Sequence, residues 1–260
     1  MELFFSKYHG TGNDFIMVDS RKNVTTHLTQ QHIERLCDRH FGIGADGLII
    51  LKDSDKADFY MDYYNADGFP GTMCGNGGRC TVVFAHECGW TGKKVTFEAA
   101  DGIHHAEILE NGLVELEMRD VSGFSHFNEN YFLNTGSPHL IVFRDEIDAF
   151  DVFGEGRKLR YDNAFDGGTN VNFVEKTASG IKVRTYERGV EAETLSCGTG
   201  VTAAAIATFI AGNQEEASIN VSTLGGELNV RFIPSEHHDK FTGLRLTGPV
   251  TQVFNGSISI

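Results

Sequence analysis

The order of apolar and polar residues predicts short strands interrupted by a few helices. Phe4-Phe5 and then Phe15 to Val18 make a first apolar stretch. An amphipathic segment follows from Leu28 to His40, with Ile33, Leu36 and Cys37 at i, i+3 and i+4 and Gly42 behind them as a stop, the signature of a surface helix. Between Val95 and Met118 the period falls to two. Val114, Leu116 and Met118 alternate with Glu115, Glu117 and Arg119 after the Asn111-Gly112 turn, which predicts a hairpin of half-buried antiparallel strands. The same alternation recurs in the second half, where Ile181, Val183 and Thr185, then Leu228, Val230 and Phe232, are separated by polar neighbours.

The halves also share motifs in the same order. "GTGNDF" (Gly10 to Phe15) is similar to "GTNVNF" (Gly168 to Phe173), and "MCGNGGRCTVVFA" (Met73 to Ala85) to "SCGTGVTAAAIA" (Ser196 to Ala207), which predicts two alike lobes. The first half has the longer spacing, with room for the Leu28–His40 helix.

Charge and cysteine usage narrow the function. With 22 Lys+Arg against 36 Asp+Glu the net charge is −14, and no window gathers the cations a phosphate backbone needs, so nucleic acid is not an expected partner. The longest mostly apolar run, Val201 to Ala211, is short of the roughly 18 residues of a membrane helix, and the N-terminus lacks a basic and then apolar leader. A soluble, cytoplasmic protein without membrane partners is expected. Five cysteines, at 37, 74, 80, 88 and 197, form an odd set without a CxxC pair, which argues against structural disulfides and structural zinc. Any special cysteine is then special as a thiol.

Two cysteines qualify. Cys74 and Cys197 each open a Cys-Gly-Xaa-Gly run ahead of a helical stretch, Arg79 to Glu87 in one case and Val201 to Ala211 in the other. A thiol at a helix N-terminus has its proton affinity lowered by the dipole, and the glycines let a ligand reach the backbone N–H groups. Two such termini suit one carboxylate, with one thiol removing an α-proton while the other returns a proton to the opposite face. Glu187-Arg188 offers an acceptor for an ammonium and a bidentate fork for a second carboxylate.

"GTGNDFIMVD", "YNADGFPGTMCGNGGRC", "NTGSPHL", "GTNVNFVE" and "YERGVEAETLSCGTG" together resemble the successive motifs of the diaminopimelate epimerases, over Lys7 to Gly200. The resemblance implies an α+β fold of two pseudo-symmetric lobes, each a mainly antiparallel sheet or barrel wrapped around a central helix. It places the first lobe at residues 1–119 plus 249–260 and the second at 120–248. It implies a cofactor-independent, metal-free isomerase that interconverts L,L- and meso-2,6-diaminopimelate in lysine and peptidoglycan precursor synthesis, acting as a homodimer. The family's catalytic groups fall on Cys74, Cys197, His139 and Glu187, and its substrate contacts on Asn13, Asn65, Gly75, Asn76, Asn170, Arg188, Gly198 and Thr199. Two positions depart from the common form, Gly47 where many relatives have Gln and Ser137 where many have Asn, so a contact is expected to be lost at one and shortened at the other. The Arg188–Cys197 loop is one residue longer than usual.

The remaining candidates read as structure. Cys37, Cys80 and Cys88 are expected to pack, and His104-His105 and His237-His238 sit in polar runs without a carboxylate or cysteine at metal-ligand spacing. A proline or hydroxyproline racemase also carries two CGxG cysteines but has His after the first Cys-Gly, where this chain has Asn76. A thiol redox protein or Cys–His hydrolase would use one cysteine with His139 and leave the second motif unexplained.

Overall fold

The computed structural model describes residues 2–212 and 217–260, which form two compact units, Met1–Leu116 with Gly248–Ile260, and Glu117–Thr247. In the first, β1 (Glu2–Gly10) and β2 (Asn13–Asp19) form a hairpin, then come α1 (Gln30–Cys37), β3 (Gly47–Lys52), β4 (Phe59–Asn65), α2 (Gly75–Glu87), β5 (Lys94–Ala99), β6 (Gly102–Ile108) and β7 (Val114–Glu117). The C-terminal strand, Thr251–Ser259, returns to pair antiparallel with β1. From that strand the sheet runs through β1, β2, β3, β4, β5, β6 and β7, with β2–β3 and β4–β5 parallel and the other pairs antiparallel. Both faces of a parallel pair must be covered. Accordingly β2 and β3 are apolar on both sides: Ile16, Val18, Leu48 and Ile50 join Ile33, Leu36 and Cys37 of α1, while Phe15 and Ile49 face Gly77 of α2.

The second unit holds β8 (Val121–Ser122), β9 (Ser125–Phe127), β10 (Asn130–Asn134), β11 (Pro138–Phe143), α3 (Val152–Arg160), β12 (Asn170–Thr177), β13 (Gly180–Glu187), β14 (Ala192–Thr194), α4 (Gly198–Gly212), β15 (Ser218–Thr223), β16 (Gly226–Pro234) and β17 (Lys240–Gly248). Its sheet runs β9, β10, β11, β12, β13, β15, β16, β17, with β11–β12 and β13–β15 parallel and the rest antiparallel. That is the first unit's succession of strand directions, repeated without a change. The lobes are pseudo-symmetric, and α2 and α4 occupy the same place in each.

The repeat corrects one motif pairing. Gly10 to Phe15 forms the β1–β2 turn and the start of β2, whereas Gly168 to Phe173 leads into β12, whose counterpart is β3. The counterpart of "GTGNDF" is instead Asn134 to His139, and the ladders agree: Phe15 opens the β2–β3 pairing opposite Gly47 as His139 opens β11–β12 opposite Asn170. Gly12 and Gly136 both turn at positive φ, 85° and 109°, in the tight turns that precede these strands. The cysteine motifs are true counterparts.

Other boundaries shift for local reasons. Helix α1 starts later than Leu28 because Thr29 caps it, its hydroxyl accepting from the His32 N–H while the His32 ring returns to the Thr29 N–H. It ends at Cys37, before His40. Both motif helices begin at the glycine after the cysteine, so the Gly-rich tetrads are themselves the first turns. His104 is also corrected: it is buried, stacked on Phe97 with ring centroids 5.2 Å apart, and its Nε2 lies 3.0 Å from a carboxylate, that of Asp101. No helix among the described residues is long and apolar enough to cross a membrane.

Candidate active site

In the first lobe Cys74 caps α2, and its carbonyl accepts the 2.7 Å bond from the Gly78 N–H that opens the helix. Gly75, Asn76, Gly77 and Gly78 are all buried, so the helix N-terminus lies close beneath the thiol. Cys74 Sγ is 3.5 Å from Asn13 Oδ1. Asn13 is oriented by a chain of bonds: Arg79 donates to Asn76 Oδ1 at 2.9 Å, Asn76 Nδ2 to Asn13 Oδ1 at 3.3 Å, and Asn13 Nδ2 to Asp46 at 2.7 Å. Arg79 is fully buried, and it also reaches Thr11 Oγ1 and the Gly75 carbonyl. Beside Asn13, burial works against the charge of Asp14, but Arg39 and Lys7 outweigh it and hold the carboxyl down at about 2.

Asn65, the last residue of β4, accepts from the Tyr63 hydroxyl at 3.0 Å. The same Tyr63 ring explains Gly47. A Cβ there would lie 2.6 Å from the ring, so the tyrosine fills the space a larger side chain at 47 would need.

In the second lobe Cys197 stands directly before α4, and its carbonyl accepts from the Val201 N–H at 2.9 Å. Its Sγ is 3.5 Å from Thr199 Oγ1. Thr199 Oγ1 is 2.9 Å from His139 Nε2, which is also 2.9 Å from Ser137 Oγ. Burial, and secondarily the charge of Arg188, push the His139 imidazole down to about 3, so it is neutral at ordinary pH. Asn172 donates to His139 Nδ1 at 3.0 Å. Asn170 donates to the Pro138 carbonyl and to Ser137, and its Oδ1 accepts the Arg188 N–H at 2.8 Å; Arg188 is itself exposed, and its guanidinium donates to the Gly167 carbonyl at 3.5 Å. Glu187 is the last residue of β13, half-buried, at the position Asn65 holds in β4.

Within the second lobe the structure thus gathers Cys197, Thr199, His139, Asn170 and Arg188, with Ser137 retaining contacts; within the first it gathers Cys74, Gly75, Asn76 and Asn13. Sequence reasoning missed Arg79, Asp46, Asn172 and Thr185, which hold these groups in place. Their signal is modest: a lone Arg inside a helix of small and apolar residues, and Asn170 and Asn172 two apart in the buried first half of a strand. The other cysteines are thiols of ordinary packing, with burial pushing Cys37 and Cys80 up to about 12.

Fold and site define a two-lobed protein with a cysteine at the N-terminus of a buried helix in each lobe. A solved structure of a Bacillus anthracis phenazine biosynthesis protein of the PhzF family shares this fold, with a TM-score of 0.78 over 100% of both chains at 16% identity. The family model for diaminopimelate epimerase matches residues 5–122 and 131–253. The diaminopimelate epimerase of Flavobacterium psychrophilum is 48% identical over 99% of this chain and 100% of its own length. That of Chlorobaculum tepidum is 44% identical, over 96% of this chain and 99% of its own. The chain belongs to the diaminopimelate epimerase family.

Proposed function

We propose that this chain interconverts L,L- and meso-2,6-diaminopimelate without a cofactor, as an isomerase of lysine and peptidoglycan precursor synthesis. The observation that carries the reading is the repeated placement of a thiol at a glycine-lined helix N-terminus, Cys74 before α2 and Cys197 before α4. One cysteine, as thiolate, takes the α-proton; the C–H electron pair moves into the carboxylate as an enediolate; the other cysteine gives its thiol proton to the opposite face of the carbon. The enzyme is left with the two protonation states exchanged. Backbone N–H groups of Gly75, Asn76, Gly198 and Thr199 stabilise the developing charge, because each helix N-terminus carries the positive end of its dipole.

His139 and Glu187 tune the thiols, Asn13 contacts the substrate beside Cys74, and Asn65, Asn170 and Arg188 hold the second amino-acid head. The bidentate fork of Arg188 suits the distal carboxylate. Incubation of diaminopimelate with the protein in D2O, followed by proton NMR, tests the assignment: loss of the α-proton signal together with conversion of L,L to meso is expected. Absence of exchange in folded, reduced protein overturns it.

The working form is a homodimer. The C-terminal strand leaves Val253 and Phe254 about half exposed on the edge of the first lobe's sheet, and Phe4 of the neighbouring β1 is equally exposed. An apolar edge of this kind is ordinarily covered. Sedimentation of the protein at micromolar concentration checks it, with a monomer as the contrary result.

A further inference from the structure

Three side chains behind the second-lobe thiol form a chain whose donors and acceptors run one way. Thr185 Oγ1 donates to Asn172 Oδ1 at 2.9 Å, and Asn172 Nδ2 faces His139 Nδ1 at 3.0 Å. The amide orientation is fixed independently, since the same Nδ2 lies 3.4 Å from the Leu140 carbonyl, which can only accept. His139 Nδ1 must therefore accept, and the ring proton sits on Nε2. That proton points at Thr199 Oγ1 and Ser137 Oγ, and a Thr199 hydroxyl that accepts from His139 has its own proton free for its other neighbours, Cys197 Sγ at 3.5 Å and Ser137 Oγ at 3.3 Å; a thiolate at Cys197 is the stronger acceptor of the two.

The fold does not need this polarity. At the matching positions of the first lobe stand Phe15, Ile49 and Tyr63: Ile49 pairs with Tyr63 as Asn172 pairs with Thr185, and Phe15 packs edge-on against Tyr63. Apolar and aromatic side chains fill one copy of the frame, whereas the other copy buries Asn172, Thr185 and His139, all under 5% exposed. A buried polar group left unpaired is costly, and apolar groups of the same shape can replace a paired set at little or no loss, so an apolar trio is the easier solution. The neighbouring helix also leaves room for the polar trio. A Cβ on Gly200 would lie 2.4 Å from Asn172 Oδ1.

We propose that Asn172 and Thr185 are positioning residues for the second-lobe thiol: they lock His139 in its Nε2–H tautomer, which directs the Thr199 hydroxyl proton at Cys197 and favours its thiolate. This rests on the assignment of Cys197 as an acid–base group. Asn172→Leu and Thr185→Val remove the chain at two points with little change in volume, and Thr185→Ser keeps it.

In full-length 15N-labelled protein, long-range proton–nitrogen NMR reads the His139 tautomer, its resonance identified by its loss in His139→Gln. Alkylation by iodoacetamide at pH 7, mapped by mass spectrometry, reads Cys197 and Cys74 separately. The expected result is a single Nε2–H tautomer in wild type and Thr185→Ser and a mixture in the other two variants. Cys197 alkylation falls on the order of tenfold in Asn172→Leu and Thr185→Val, with Cys74 unchanged, as a thiol pKa raised by about one unit requires. The kcat for epimerisation falls with KM little altered. Unchanged tautomer and unchanged Cys197 reactivity in folded Thr185→Val overturn the proposal, and that variant decides the matter if Asn172→Leu does not fold. Neither readout needs diaminopimelate, so a failure of the substrate assignment would be seen separately, in the D2O exchange experiment.

Discussion

At His139, burial removes the water that would solvate an imidazolium, and Arg188 adds a like charge, so the folded-state value of about 3 lies far below the ordinary one near 6.5. A histidine with a lowered folded pKa binds fewer protons folded than unfolded between those two values. Stability contributed by keeping it neutral is therefore full above about 6.5 and falls as pH drops toward 3. Between pH 7 and pH 5 the wild type is expected to lose about 2 kcal/mol through this residue, and His139→Gln to lose much less over the same interval. Chemical denaturation at the two pH values checks it; parallel curves would show that His139 does not titrate this way. At the same scale, Cys74→Ala and Cys197→Ala are each expected to abolish epimerisation, because one base without an opposing acid cannot complete inversion. Conversion of L,L to meso at near wild-type rate by either variant would contradict the two-thiol chemistry. Both cysteines were legible in the sequence because their signal is local, a thiol followed by glycines at a helix start. Asn172 and Thr185 were not: their importance lies in facing each other across β12 and β13, a register that a linear reading does not supply.

Helices α2 and α4 keep a glycine at their third position, Gly77 and Gly200, for steric reasons that differ between copies. In α2 a Cβ at Gly77 would touch the flexible ends of Ile49, Met61 and Phe15 at 3.2–3.3 Å, whereas in α4 a Cβ at Gly200 would strike Asn172 Oδ1 at 2.4 Å. Gly200→Ala is accordingly expected to cost about 1–3 kcal/mol and to lower kcat by displacing Asn172, while Gly112→Ala, where nothing lies within 4 Å but φ is 81°, should cost about 1 kcal/mol and leave kcat alone. Thermal melts and kinetics on the two proteins test the pair; equal loss of kcat would remove the steric argument. Periodicity located the elements well where one face is wet: Ile33, Leu36 and Cys37 do form the buried stripe of α1, and Val114 and Leu116 do point inward from β7. It misled where composition imitated position. "GTGNDF" and "GTNVNF" share letters, but the true counterparts, Thr11-Gly12 and Thr135-Gly136, share a turn, and the turn is set by φ and strand order. His104 was misread for a related reason, since in β6 it takes an inward place in a polar-looking run and is satisfied there by Asp101.

Across the whole molecule the second lobe is one continuous stretch of chain, while the first is completed by a strand from the far end of the sequence, Ser259 opposite Glu2. Removing Thr251–Ser259 should therefore loosen β1 and β2 and leave β10 to β13 intact. Hydrogen exchange resolves the two: rapid exchange confined to the first lobe is expected, and uniform exchange throughout would mean that the lobes do not hold their stability separately. The same discontinuity sets an order of events at the ribosome. At ~5–20 residues per second, roughly 7–30 s pass between synthesis of β7 and synthesis of the closing strand. Throughout that interval the outer edge of β1, with Phe4 beside it, has backbone donors and acceptors but no partner. The lobe synthesised first is thus the last to be finished, and its open edge is the surface on which a nascent-chain chaperone, or another unfinished copy, has longest to act.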